Sequence, residues 1–247
     1  FDEARHLEAE ARQVYGDEVT NFTIPWTVSR LQKIVSSYSL SYLDPEQHLQ
    51  TVRKANEELF MELLSSMKGN IPQAVPKGDK IREKLARLDA EVSAIVRIYG
   101  AYGRVSEEER AYLSDHERQL KQRIRLLVDA LESQFEALQR ILAAEDEEYV
   151  YWMEQDTRPQ VFLRLHATPV NVADILREVL FSKKPTVLTS ATLAIDDGFE
   201  YVMEQLGIDD AIEIIVGSPF NYEENAVLYV PKNMPHPTKE NDAFMKR

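Results

Sequence analysis

Two short segments carry residue types that could do chemistry, and they lie far apart in the chain. Asp2 and Glu3 are adjacent carboxylates near its first residue. In nucleotide-hydrolysing motors, one carboxylate of such a pair holds Mg²⁺, directly or through a water, and the other orients or deprotonates the attacking water. Because the chain contains 42 Asp and Glu residues, the pair taken alone is weak evidence and is more typical of the solvated start of a helix.

The second segment has the sequence TSATL and follows an apolar, β-branched stretch at 186–189. Short hydroxyl side chains just after a buried strand can hydrogen-bond to a carboxylate cluster and to a neighbouring domain, which would suit a relay between hydrolysis and movement. They could also simply cap the strand. A third segment, GSPF at 217–220, follows another predicted strand and is typical of a β-turn.

Composition excludes several classes of protein. The 247 residues are 44% hydrophobic, enough for one large domain or two ordinary ones. The absence of cysteine excludes disulfides, thiolate zinc sites and iron–sulfur ligands within these residues. A net charge of −13 argues against a simple basic nucleic-acid coat. No apolar run is long enough for a membrane span, so we expect no membrane partner and a cytoplasmic location.

Hydrophobic spacing predicts a mostly helical middle. We expect a short helix at 6–16, a linker containing Thr23 and Pro25, and helices at 28–38 and from Asp44-Pro45 to 67. Two long amphipathic helices, at 81–99 and 113–142, are separated by Gly100, Gly103 and a capping-box sequence at 106–109. A short connection between them predicts an antiparallel hairpin.

The chain after residue 148 has a different pattern from the helical middle. Strands are predicted at 149–152, 161–165, 186–189, 212–216 and 226–230, with helices at 171–181 and 199–206, the latter ended by Gly207. The fold class is therefore mainly α with α/β parts, and a helical block within an α/β pattern indicates an inserted domain. The first residue is Phe, and the last residues, including Asn241 and Asp242, begin like a helix. We therefore expect an internal piece of a longer protein.

Three sequence segments resemble one family in the order that the family has them. DEARHLEAEA resembles the DEAH box and following helix of superfamily 2 helicases, and KKPTVLTSATL resembles their motif III. VGSPFNYEENAVLYVP resembles the segment that opens the second motor domain in the DinG/XPD-like branch. That branch has a helical Arch domain between the DEAH box and motif III, where this chain has its helical stretch.

The resemblance implies a long helical Arch-type insertion in a partial RecA-like P-loop motor domain. Residues 1–18 would end the first motor domain, 19–148 form the Arch, 149–197 return to the first motor domain, and 198–247 begin the second. At the matched positions, Asp2 would be the Mg²⁺-linked carboxylate and Glu3 the water-activating carboxylate. The motif that couples nucleotide state to DNA movement would be Thr189, Ser190, Ala191, Thr192 and Leu193. The residues of a structural turn would be Ser218, Pro219 and Phe220.

The sequence departs from the family at one position of the box. Arg5 stands where the family has His, and His6 follows. Arginine is permanently charged and cannot accept a hydrogen bond as neutral histidine can, which puts the coupling through this position in doubt. His6 is the alternative, although adjacent residues point in different directions. The chain also lacks a G-x-x-x-x-G-K-[ST] phosphate loop, so ATP and Mg²⁺ are expected to act only in the full-length protein.

The resemblance implies single-stranded or branched DNA as the partner of the full-length protein. Lys121, Arg123 and Arg125 cluster on the second long helix and are candidate phosphate contacts. Acidic residues interleave with them, as on an ordinary solvated helix face. Two other functions stay open, a non-catalytic helical protein-interaction module and the body of a helicase-like nuclease. The oligomeric state is also open.

Overall fold

The computed structural model describes residues 1–44, 46–156, 162–195, 198–230 and 232, without the side chains of Arg110 and Tyr222. The helices are α1 (Leu7–Val14), α2 (Thr23–Ser37), α3 (His48–Ser65), α4 (Asp79–Gly103), α5 (Glu107–Arg110), α6 (Asp115–Ala143), α7 (Ala173–Leu176), α8 (Glu200–Leu206) and α9 (Tyr222–Asn225). The strands are β1 (Asp17–Thr20), β2 (Gln73–Ala74), β3 (Tyr149–Asp156) and β4 (Phe162–Pro169). The prediction of a mainly helical chain is confirmed.

Helices α2, α3, α4 and α6 bury their apolar stripes in one core. Its largest fully buried side chains are Ile24, Leu31, Leu59, Leu63, Leu88, Ile95, Tyr99, Ile124, Leu131, Leu138, Ile141 and Met153. Each such side chain stabilises the fold by roughly 1.5–3 kcal/mol relative to its exposed state. The predicted antiparallel hairpin is confirmed, because the Lys121 ammonium at the start of α6 donates to the Tyr102 carbonyl at the end of α4, 2.9 Å away.

Two details of the hairpin differ from the prediction. Gly100 does not end α4, which continues to Gly103; a Cβ at Gly100 would lie 3.6 Å from Val128, so this face packs closely on α6. The capping box at Ser106 is confirmed, but it caps the short α5, and a second box at Ser114 begins α6. Leu113 therefore precedes the long helix instead of belonging to it.

The predicted linker around residue 23 is wrong. Thr23 and Pro25 lie in the first turn of α2, where proline is tolerated because its missing N–H would have no helical partner. The helix start predicted at Asp44-Pro45 is three residues early. Asp44 does cap α3, since its carboxylate accepts from the backbone N–H groups of His48 at 2.9 Å and Leu49 at 3.1 Å. Pro45 lies outside the described residues.

The four strands form one antiparallel sheet in the order β1-β4-β3-β2. Strand β1 was missed in the sequence and pairs with β4, with Val19 opposite Leu165. Buried side chains of the sheet, among them Met153 and Leu163, join the helical core. Predicted strands at 149–152 and 161–165 are confirmed and longer, although Val161 lies outside the described residues. The chain thus enters the helical core from β1 and leaves it through β3, two strands that lie on either side of β4 in the sheet.

A second, smaller core joins α1, α7 and α8 through Ala11, Val172, Leu176 and Leu206. The predicted helix at 171–181 is present as α7 and a wider turn over Arg177–Phe181, and Asn171 accepts from the Ala173 N–H at 2.8 Å. Gly207 ends α8 in the left-handed region with φ 72°, as predicted. Leu188 packs against this core and so anchors the residues that follow it.

Three predicted strands are wrong. Residues 186–189, 212–216 and 226–230 form no strand, and Val187, Ile212 and Val227 are 74%, 94% and 94% exposed. An extended segment becomes a stable strand when a neighbour satisfies its backbone and covers its side chains. Among the described residues, the backbones of residues 187 and 189 bond only to Phe1 and Ala4, and no strand there pairs with the other two segments. Pro231, Asn241 and Asp242 lie outside the described residues. The domain boundaries and the RecA-like motor with its Arch insertion stay predictions.

Candidate functional site

The two candidate segments meet through their backbones. The Phe1 nitrogen donates to the Val187 carbonyl at 2.6 Å, and the Thr189 N–H donates to the Phe1 carbonyl at 2.9 Å. The Ala4 N–H in turn donates to the Thr189 carbonyl at 2.9 Å. These bonds run between residues more than 180 positions apart, and they fix how the side chains of the two segments face one another.

Asp2 is held by the hydroxyl segment. The Thr189 hydroxyl donates to Asp2 Oδ1 at 2.8 Å, and the Glu3 N–H donates to the same oxygen at 3.0 Å. The Thr189 hydrogen bond first, and the Glu3 N–H second, hold the pKa of the Asp2 carboxyl below its usual value. Asp2 is exposed, and its carboxylate is ionised at neutral pH because its pKa is lowered. The two hydrogen bonds fix the orientation of that carboxylate.

Glu3 adopts an unusual backbone conformation, and two polar side chains contact its carboxylate. Its φ is 51°, in the left-handed region that side-chain-bearing residues rarely occupy. The Ser190 hydroxyl donates to Glu3 Oε2 at 3.3 Å, and Arg5 Nε lies 3.2 Å from the same oxygen. Arg5 Nε also donates to His6 Nε2 at 3.1 Å. Among the described residues, Glu3 Oε1 makes no hydrogen bond, so that oxygen is open to another group.

In the part of the chain that the structure describes, the other members of the coupling motif make no hydrogen bond to Asp2 or Glu3. Ala191 and Thr192 are exposed, Leu193 is buried, and the Thr192 N–H donates to Ser190 Oγ at 3.4 Å. At the predicted turn, the Phe220 N–H donates to Ser218 Oγ at 3.2 Å, and the structural role expected of this turn stays a prediction.

The three basic candidates on α6 have different surroundings. Lys121 helps to hold the hairpin, because its ammonium lies 4.8 Å from the Tyr102 ring centre and bonds that residue's carbonyl. Arg125 lies 3.6 Å from Asp129 in an exposed ion pair, and Arg123 is exposed. Their role as phosphate contacts stays a prediction.

The carboxylate oxygens of Asp2 suit a metal ion that takes its remaining ligands from water and from a bound substrate. Within the described residues, no three acidic or histidine side chains cluster as a metal site. Mg²⁺ is commonly held by one or two carboxylates together with waters and substrate phosphates, so a single ionised carboxylate at Asp2 is compatible with it.

A cavity lined by α2, α3 and β4 has no counterpart in the sequence predictions. Its lining residues include Arg53 and the buried Asn56, and Asn56 interrupts the apolar stripe of α3. The signal in the sequence was a polar residue, Asn56, at a position where the helical spacing predicts an apolar one.

No protein-family model matches the chain. A Bacillus subtilis protein named 3'-5' exonuclease DinG is 24% identical over 271 residues, which cover 95% of this chain and 29% of that protein. The Escherichia coli ATP-dependent DNA helicase YoaA is 33% identical over 43% of the chain and 16% of its own length. The chain is related to the DinG-like helicases.

A third relative, the ATP-dependent helicase DinG of Mycobacterium tuberculosis, is 32% identical over 40% of the chain and 15% of its own length. The chain thus spans less than a third of each of these DinG-like relatives. In the described residues, no helix is both long and apolar enough to cross a membrane.

Proposed function

We propose that this chain is part of a DinG-like, ATP-dependent DNA helicase and that it contributes one half of the ATPase site. The observation that carries the proposal is the pair of side-chain contacts between distant segments, Thr189 with Asp2 and Ser190 with Glu3. The names of the relatives support the activity, which would place the protein in the cytoplasm with its DNA.

Asp2 would hold the metal of the nucleotide. Its carboxylate is ionised and its orientation is fixed by the Thr189 hydroxyl. Mg²⁺, when bound with ATP, would neutralise negative charge that develops on the phosphates. The chain has no phosphate-loop sequence, so this role requires the rest of the motor.

Glu3 would orient the attacking water and accept its proton. One carboxylate oxygen is held by Ser190 and Arg5, which leaves Oε1 for the water. A displacement of the 189–193 segment would therefore disturb both carboxylates at once. That linkage is how Thr189, Ser190, Ala191, Thr192 and Leu193 would couple the nucleotide state to movement on DNA.

Arg5 would act on the Glu3 carboxylate instead of on the hydroxyl side chains of residues 189–193. Its Nε contacts Glu3 and His6, and neither of these belongs to residues 189–193. The histidine of the usual box is thus replaced by a cation that holds Glu3 in place. Coupling would then run directly from Ser190 to Glu3.

The helical core would guide single-stranded DNA towards this motor. Lys121, Arg123 and Arg125 lie on one stretch of α6, and the exposed Arg123 is the best placed of the three for a phosphate. Branched DNA is a further substrate class for the full-length protein.

Two measurements test the ATPase proposal. The isolated chain should not turn over ATP, because the phosphate-binding loop is missing. In the protein that contains this chain together with such a loop, Glu3→Gln should lower ATP turnover by about 100-fold or more, the contribution expected of a positioned general base. Glu10→Gln, an equal charge change at an exposed position of α1, should leave turnover unchanged. ATP turnover that survives Glu3→Gln would contradict the proposal.

A nuclease body is the second candidate, because the relative that aligns with 95% of the chain is named an exonuclease. Digestion of 3'-labelled DNA by the protein that contains this chain distinguishes the two functions. Digestion without ATP-dependent unwinding, unchanged by Glu3→Gln, would favour the nuclease.

A further inference from the structure

Helix α1 is bound to the sheet of the helical core near its C-terminal end. Arg12 Nη1 donates to the carbonyl of Pro169, the last residue of β4, at 2.8 Å. Within the described residues, Arg12 is the one side chain of α1 that hydrogen-bonds to the sheet. The proposed ATPase roles do not use this residue, although the helix that carries it begins directly after the two acids.

Glu8 holds the Arg12 guanidinium in the orientation that this bond requires. Its Oε1 accepts from Arg12 Nε at 3.0 Å and from Nη2 at 2.8 Å, which leaves Nη1 for the Pro169 carbonyl. Because a guanidinium is planar and rigid, two fixed nitrogens determine the direction of the third. The Arg12 and Glu8 side chains are 33% and 30% exposed, so water screens the pair only in part.

The backbone that follows α1 packs directly on β4. A Cβ at Gly16 would lie 2.7 Å from the Arg12 carbonyl oxygen and 2.8 Å from the Ala167 carbonyl oxygen, so only glycine permits this approach. Strand β1 begins at the next residue, and the Asp17 carboxylate lies 2.9 Å from the Arg140 guanidinium of α6. This end of α1 is therefore held by both β4 and α6.

The other end of the same helix carries the acids. Helix α1 continues directly from the single turn over Ala4–His6, so the two form one helical rod. Ala4 is 3% exposed, and its N–H donates to the Thr189 carbonyl at 2.9 Å. At a rise of about 1.5 Å per residue, Arg12 lies roughly 12 Å along the rod from Ala4. A shift imposed at Arg12 therefore reaches Ala4 and the adjacent Glu3.

We propose that α1 is a rigid connection through which β4 positions the carboxylates of Asp2 and Glu3, and that Arg12 is the positioning residue. This role rests on the proposed ATPase function. When the sheet moves relative to the smaller core, α1 carries the movement to the acids and changes their contacts with Thr189 and Ser190. The helical core thus regulates the ATPase site without contributing a group to it.

Arg12→Met is the decisive variant. It removes the guanidinium and keeps most of the side-chain stem, while Ala11 still packs α1 into the smaller core. Glu8→Gln is the matched control, because it removes the ion pair within α1 but keeps an acceptor oxygen for Arg12 and the bond to Pro169. The comparison separates the bond to β4 from the support that an ion pair gives to its own helix.

The first measurement is amide hydrogen exchange in the 247-residue chain, which does not depend on any activity. Arg12→Met should accelerate exchange at the Ala4 and Thr189 amides about tenfold, the effect of losing one charge-assisted hydrogen bond. Glu8→Gln should change these amides by about twofold or less. If Arg12 only supports its own helix, exchange in Arg12→Met will rise at the end of α1 alone.

The second measurement is ATP turnover by the protein that contains this chain together with a phosphate loop. Arg12→Met should lower kcat about tenfold with KM for ATP nearly unchanged, because the displaced group acts on the attacking water. In a Glu3→Gln background, Arg12→Met should have little further effect, since the carboxylate that it positions is already absent. Arg82→Met, which breaks an exposed ion pair within α4, should leave kcat unchanged.

Three results would overturn the inference: unchanged exchange at Ala4 and Thr189 in Arg12→Met, unchanged kcat in that variant, or effects of Arg12→Met and Glu3→Gln that simply multiply. Each is distinct from failure of the ATPase proposal, which is decided by Glu3→Gln alone in otherwise unaltered protein.

Discussion

Replacing Gly207 by alanine should destabilise the small core that carries the hydroxyl segment. Gly207 ends α8 at φ 72°, and an alanine Cβ there would lie 2.1 Å from the Ala173 carbonyl oxygen of α7. The left-handed backbone costs alanine about 1 kcal/mol. The collision with rigid backbone adds about 1–3 kcal/mol, as overpacking does elsewhere. We therefore expect a loss of about 2–4 kcal/mol.

Gly69→Ala is the matched control. Gly69 also has a positive φ, 84°, but an added Cβ there meets nothing within 4 Å. This variant should show the backbone cost alone, about 1 kcal/mol. The difference between the two variants isolates the contact between Gly207 and α7.

Hydrogen exchange monitored at individual amides is the suitable assay, because a small core can open without the rest of the chain. Gly207→Ala should accelerate exchange in α8 and at Thr189, since Leu188 packs on the same core. Gly69→Ala should leave those amides protected. Equal effects of the two variants on α8 would refute the reasoning that close packing on Ala173 holds this layer together.

Two further predictions concern the helical core. The hydrogen bond with Glu91, 2.7 Å away, raises the pKa of His48 in the folded state, so its stabilisation is complete below the unfolded value of about 6.5 and is lost as the pH rises through the folded value. The urea midpoint should therefore fall between pH 6 and 8.5 in the parent and stay flatter in His48→Gln, and parallel profiles would contradict this. Ser114→Ala removes the cap of α6 and should cost about 1 kcal/mol in urea unfolding. Ser106→Ala, at the four-residue α5, should cost less, and the reverse order would be inconsistent with the capping argument.

The helical part of the fold was predictable because its information is local. Leu88, Ile95, Leu131 and Leu138 recur at helical spacing, and that spacing alone specifies which face is buried. Strand β1 was not predictable in the same way. Its four residues include two acids, and it becomes a strand because β4 lies beside it.

Near the other end of the chain, a strand was predicted where the structure has none. Residues 212–216 are as apolar as many strands, yet Ile212 and Val216 are exposed because no described segment pairs with them. At the candidate site, the prediction that Asp2 and Thr189 belong to one site came from a family resemblance and not from any spacing in the sequence. Asn56 was missed because the helical pattern tolerates an occasional polar residue, and only the packed structure shows its unpaired oxygen.

The pairing of β1 with β4 has a consequence for the order of folding. Closing a loop costs entropy that grows with its length, and these strands are separated by the entire helical core. The α4–α6 hairpin joins residues that are close in sequence and can form early. Once it has formed, the free chain between the strands is much shorter, and the Asp2 carboxylate and the Thr189 hydroxyl can meet. We therefore expect the chemical site to be the last part of the chain to assemble and the first to be lost on unfolding.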